Sequence, residues 1–228
     1  IALYPAVTNP LTRHPLVLAS LAHSLEEIAP GRTRIAIGTG NSSAELLGRP
    51  PASVEHMRST VVTVRRLLAG EAVCFGDNPE VRLSSPVGHP PPVYITASGP
   101  RMIDLAGEVA DGAMLMVGIH PEMIAEARRR LQDAARRANR QPDRFPLIFA
   151  MPVLIHEDLR VARERARRRC FAWLQMPSRA FWLRHAGLDL PKVERPEDIP
   201  VETLGKVCDA IGLFGPAERC LEQLQQMA

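Results

Sequence analysis

Twice within the first forty residues, a short apolar run ends in a polar or glycine-rich turn and passes into a helical pattern. The first run is Ile1-Ala-Leu-Tyr-Pro-Ala-Val7, followed by Thr8-Asn9-Pro10-Leu11-Thr12-Arg13-His14-Pro15. The second is Thr33-Arg34-Ile35-Ala36-Ile37, followed by Gly38-Thr39-Gly40-Asn41-Ser42-Ser43. Strand, turn and helix in repetition restrict the chain to an α/β fold. In such folds, functional groups collect on the loops that follow the carboxyl ends of the strands.

The same alternation continues. Pro15 suits a first helical turn, where its missing N–H costs nothing, and Leu18, Leu21, Ala22, Leu25 and Ile28 follow at helical spacing up to Pro30-Gly31. Ser53 is placed to cap a second amphipathic helix that runs through Met57, Val61, Val64 and Leu68 to Gly70. Residues 71–92 carry five prolines with Gly76, Asp77 and Asn78, and read as an excursion with a small hairpin between regular units. Beyond it lie a strand over Pro92–Ala97, a turn at Ser98-Gly99-Pro100, a helix over Arg101–Ala110 and a strand over Ala113–Val117. A helix from His120-Pro121 to about Asn139 and an apolar run over Phe145–Ile155 follow. Asp158 caps a helix leading through Trp173 and Trp182, and two shorter helices, about 201–210 and 216–228, end the chain.

This gives five buried strands, near 1–7, 33–37, 93–97, 113–117 and 146–155. Continuous apolar strands separated by helices mean a parallel sheet covered on both faces, so a doubly wound sheet and a (β/α)₈ barrel both fit. Gly38-x-Gly40 lacks a third glycine, and no acidic residue ends the next strand, which weighs against a dinucleotide fold.

Composition narrows the partners. The 228 residues are 46% hydrophobic, enough for a sizeable core, and the net charge is only +3. No presenting motif gathers the basic residues, and the chain has only two Trp, two Tyr and six Phe, so nucleic acid is not expected. The cluster Arg163, Arg165, Arg167, Arg168 and Arg169 reads as a solvated helix face. Cys74, Cys170, Cys208 and Cys220 show no ligand spacing, so no metal is expected and the thiols read as reduced, in a cytoplasmic protein. No apolar run is long enough for a membrane span.

Three blocks carry a more specific likeness. They are Val7-Thr8-Asn9-Pro10-Leu11-Thr12-Arg13-His14-Pro15, then Ile35-Ala36-Ile37-Gly38-Thr39-Gly40 after Gly31-Arg32, then Pro92–Pro100 with Ala106-Gly107-Glu108-Val109-Ala110-Asp111-Gly112. In order and spacing they resemble the luciferase-like flavin- and deazaflavin-dependent oxidoreductases, most closely the methylenetetrahydromethanopterin reductase branch. The resemblance implies one partial TIM-type (β/α)₈ barrel domain over residues 1–228, supplying barrel strands 3 to 7 and stopping on the helix before the eighth. It also implies that the first two βα units lie outside the chain.

By the same resemblance, the cofactor ring rests on a bulge with a non-prolyl cis peptide at Ala6–Val7, flanked by Thr8 and Asn9. Gly38, Thr39, Gly40 and Asn41 lie along the cofactor. Ala97, Ser98, Gly99 and Pro100 hold its phosphate, in keeping with the anion preference of a helix start, where Arg101 can add a positive charge. Arg13, His14 and Met116 are candidate substrate contacts, and the catalytic residues are unassigned. Turn chemistry is the alternative for Thr8-Asn9, a helix cap for His14, a surface ion pair for Arg13 and core packing for Met116. The apolar stretch Met116–Ile119 stands where relatives acting on sugar phosphates carry a basic residue, and Asn41 stands where some carry a carboxylate.

The function so implied is hydride transfer between the deazaflavin coenzyme F420 and a small organic substrate. An FMN-dependent monooxygenase is the alternative within the fold, and a non-catalytic flavin-binding barrel the alternative outside enzymes. A homodimer is the expected assembly.

Overall fold

A computed structural model describes residues 1–84, 88–142, 145–190 and 192–227. The chain divides into two compact units, one of Ile1–Ala97, Arg101–Leu115 and Arg130–Ile148, the other of Ser98–Pro100, Met116–Arg129 and Phe149–Ala228.

The first unit opens with α1 (Pro15–Ile28), capped by His14, whose Nδ1 accepts from the Leu16 N–H at 3.3 Å. Strand β1 (Ile35–Ile37) leads into α2 (Asn41–Leu46) and α3 (Val54–Leu68). Ser53 caps α3 by accepting from the His56 N–H at 3.1 Å. Strand β2 (Val93–Ala97), helix α4 (Pro100–Val109) and strand β3 (Gly112–Leu115) follow. Strands β1, β2, β3 and β4 (Leu147–Phe149) form a sheet in that order. Ile35 pairs with Val93 and Tyr94 with Gly112, both in parallel register, so each connection crosses over through helices. Helices α1 and α3 pack together. Leu18, Ile35, Ile37, Met57, Leu67, Ile95, Ile103 and Leu115 are fully buried in the core.

The second unit holds β5 (Val153–Ile155) paired in parallel with β6 (Leu213–Gly215). Helix α6 (Leu159–Leu174) packs on β6 and on α8 (Val201–Ile211). The Asp158 side chain caps α6, accepting from the Arg160 N–H at 2.7 Å. Helices α7 (Arg179–His185) and α9 (Ala217–Gln226) complete this unit, and α5 (Pro121–Arg137) contributes residues to both. Trp182 is its largest fully buried side chain.

Several expectations are corrected. The run over residues 1–7 is not a buried strand: it makes two isolated parallel bridges, Leu3 to Thr33 and Thr8 to Ile37, and Val7 is 52% exposed. Five steps from Leu3 to Thr8 oppose four from Thr33 to Ile37, so one extra residue bulges from the run. Pro5, which has no N–H to give, stands inside it. The run ending at Val117 stops as a strand at Leu115, because Gly118 turns the chain with φ +99°. The apolar stretch over 145–155 is two strands rather than one, broken at Ala150–Pro152, with β4 and β5 in different sheets. The helix after Asp158 ends at Leu174, and Trp182 sits on the separate α7. A sixth strand, β6, lies between the last two helices, where the sequence reading placed none.

The excursion contains one antiparallel bridge, Val73 to Val81. Its residues Ser85–Val87 fall outside the described residues. Among the described residues no helix is long and apolar enough to cross a membrane, and no cluster of His, Cys, Asp or Glu could hold a metal.

Candidate functional site

In the first unit, the bulge and the turn after β1 meet around Gly38. Its N–H donates to the Thr8 carbonyl at 2.8 Å, and the Thr8 N–H donates to the Ala36 carbonyl at 3.0 Å. The Ala6–Val7 peptide bond is cis, at the position the sequence resemblance indicated. A Cβ on Gly38 would lie 2.8 Å from Val7 Cγ1 and 3.6 Å from Thr96 Cβ, so only glycine lets β1 approach the bulge this closely. Gly40 has φ +81°, and a Cβ there would lie 2.9 Å from Asn9 Cγ.

Asn9 is the organiser of its own loop. Its Oδ1 accepts from the N–H groups of Leu11 and Thr12 at 3.1 and 3.0 Å and from the Thr12 hydroxyl at 3.1 Å, while Nδ2 donates to Ser43 Oγ at 3.3 Å. Turn chemistry thus occupies most of this side chain. Thr8 differs. Its hydroxyl is buried without a partner, as is that of Thr96 on β2, and both flank Gly38. Buried hydroxyls left unpaired are uncommon and costly. Ala6 and Val7 are exposed beside them, and Thr39 Oγ1 donates to Asn41 Oδ1 at 3.0 Å at the rim. The result is an apolar shelf with unspent hydroxyls at its back. These residues fit a planar heteroaromatic group, with apolar surface for its face and polar groups for its edge.

His14 acts as a cap, and its ring tilts against Phe75 of the excursion at 4.4 Å between centroids. Arg13 is exposed and donates to Thr12 Oγ1 at 3.3 Å. Ala97, the last residue of β2, is buried, and Arg101 is exposed in the first turn of α4.

In the second unit, the turn Ser98-Gly99-Pro100 is half buried and anchored by Trp182, whose Nε1 donates to the Ser98 carbonyl at 2.6 Å. Gly99 has room for only ordinary contact with Ser178. Sequence reasoning missed Trp182 as the positioner of this turn. The available signal was that a buried indole N–H requires an acceptor. Met116, 44% exposed, lines a cleft of about 270 Å³ with Met151, Trp173, Met176 and Arg169. None of those four was assigned a role in a site, and Arg169 is exposed, as its reading on a solvated face implied.

Comparison with known proteins identifies the family of the chain. The family model described as luciferase-like monooxygenase matches residues 1–228. The chain is 30% identical over 172 residues to the 5,10-methylenetetrahydromethanopterin reductase of Archaeoglobus fulgidus, which covers 73% of this chain and 52% of that protein. It is 31% identical over 173 residues to the F420-dependent glucose-6-phosphate dehydrogenase of Microbacterium testaceum, covering 71% and 52% respectively. The chain therefore spans about half the length of these relatives. The solved structure of the coenzyme F420 dependent tetrahydromethanopterin reductase from Methanopyrus kandleri superposes with a TM-score of 0.77, covering 100% of this chain and 74% of that one at 24% identity, a likeness of fold. By the match of its whole length, the chain belongs to the luciferase-like monooxygenase family.

Proposed function

We propose that this protein is an oxidoreductase that uses the deazaflavin coenzyme F420 to reduce or dehydrogenate a small organic molecule. The observation that carries this reading is the pair of unpartnered buried hydroxyls, Thr8 and Thr96, set around Gly38 behind the exposed Ala6–Val7 shelf. The name of the F420-dependent glucose-6-phosphate dehydrogenase to which the chain is similar favours F420 over FMN.

When bound, a deazaflavin supplies hydride transfer at a ring carbon. The chain's own residues bind and orient. Ala6 and Val7 offer one apolar face for stacking, and Thr8 and Thr96 offer hydroxyls that can donate or accept. Gly38 and Gly40 keep that space open by carrying no Cβ. Asn9 holds the Thr8 loop in shape through its four hydrogen bonds. The first-turn N–H groups of α4 have no intrahelical acceptor and suit a phosphate. Arg101 adds a positive charge nearby in sequence.

Titration of the whole protein with F420 and with FMN, followed by visible absorbance, tests the reading. F420 is expected to bind at micromolar concentration and FMN more weakly. Tighter binding of FMN would favour the monooxygenase alternative, and failure of both to bind would end the proposal.

A further inference from the structure

The cleft in the second unit has a chemistry of its own. Three methionines, Met116, Met151 and Met176, with Trp173 and Ile211, make an apolar wall, and Arg169 is the only charged residue that lines it. Methionine and tryptophan surfaces adapt to flat apolar groups. At about 270 Å³ the cleft lies near the lower end of the range for small-molecule sites, roughly 300–1,000 Å³. Trp173 Nε1 is buried without an acceptor.

The arginines of α6 divide into two kinds. Arg163 makes a two-pronged pair with Asp209, at 3.0 and 2.8 Å, and Arg167 pairs with Glu164 at 2.7 Å. Arg169, on the cleft, has no acidic partner among the described residues, and no carboxylate lines the cleft to compete for it. Nor does any side-chain hydroxyl, amide or carboxylate line it, so a polyhydroxylated ligand would lose water without recovering hydrogen bonds. Met116 follows directly on β3, which pairs in parallel with β2, and the carboxyl ends of parallel strands are where α/β proteins take ligands.

We propose that this cleft binds a compact aromatic or alicyclic carboxylate, its body against the methionine and Trp173 wall and its carboxylate on Arg169, as the protein's small substrate. The word substrate rests on the oxidoreductase reading; the binding does not.

The test is calorimetric titration of the whole protein without coenzyme, using naphthalene-2-carboxylate as probe, with its uncharged carboxamide and glucose 6-phosphate as comparisons. The carboxylate is expected to bind at submillimolar concentration and more tightly than either comparison. Arg169→Gln should weaken the carboxylate about tenfold and leave the carboxamide unchanged. Met176→Glu, which sets a like charge on the wall, should weaken the carboxylate more than the carboxamide. Equal affinity for carboxylate and carboxamide, indifference to Arg169→Gln, or tighter binding of glucose 6-phosphate would each overturn the proposal. F420 binding is measured separately by absorbance. Its loss with naphthalene-2-carboxylate binding intact would sink the redox reading alone, and the reverse would sink the cleft alone.

Discussion

Gly40 shows how one missing Cβ can govern a site. At φ +81° an L-residue is strained by about 1–2 kcal/mol, and the added methyl would press on Asn9 Cγ at 2.9 Å. Asn9 would have to shift, together with the three donors its Oδ1 holds and the Thr8 loop they shape. Gly40→Ala is therefore expected to weaken F420 binding about tenfold or more, read by absorbance titration. Gly48 is the control: its φ is +61°, but its Cβ would meet nothing within 4 Å, so Gly48→Ala should strain the backbone and leave the coenzyme affinity unchanged. At this scale the sequence picked out candidate loops but not how their atoms are used. Asn9 and Thr8 are neighbours with similar polarity. Burial leaves one satisfied and the other not, a difference decided by partners 2 to 34 positions away. His14 illustrates the same point, because capping Leu16 and meeting Phe75 depend on where the excursion returns.

Helices were legible wherever a cap or a glycine stop agreed with apolar spacing. Ser53 and Asp158 both cap as the pattern implied. Ser53→Ala should cost about 1 kcal/mol of stability, measured by urea unfolding. The Asp158 carboxyl is held below its usual range first by the Arg160 N–H and then by the Val161 N–H. A carboxylate depressed in the folded state stabilises fully above its unfolded pKa and loses that contribution as pH falls through the folded value. The stability gap between wild type and Asp158→Asn should therefore be largest at neutral pH and shrink below about pH 4. Where helices cross, Gly107 on α4 faces α5 so closely that a Cβ would lie 2.5 Å from the Leu131 carbonyl and 2.8 Å from Ala134 Cβ. Gly107→Ala should destabilise by about 1–3 kcal/mol in the same assay. Strands were less legible because three residues carry no periodicity. Leu213-Phe214-Gly215 becomes β6 only because Leu213 pairs with Val153, a contact no local pattern could reveal. The break at Ala150–Pro152 likewise turns on which partner each half finds.

At the scale of the whole molecule, the order of strands and helices was readable because each parallel crossover demands a helix, and three sequence blocks fell in register with one family. What was not readable was the division into two compact units, since Ser98–Pro100 leaves the first unit between residues that remain in it. That division gives the two proposals separate physical readouts. A ligand that binds only the folded state stabilises it by about 2.7 kcal/mol at a hundredfold excess over Kd, and for a chain of this size each kcal/mol raises Tm by roughly 2–4 °C. Saturating F420 should therefore raise Tm by several degrees. Amide hydrogen exchange then localises the source, because protection reports local opening. F420 should slow exchange at residues 6–9 and 38–41 of the first unit, and naphthalene-2-carboxylate at 116–118 and 150–151 of the second. A rise in Tm with F420 but no added protection at residues 6–9 would mean that the coenzyme binds elsewhere, and the Thr8 shelf would have no part in holding it.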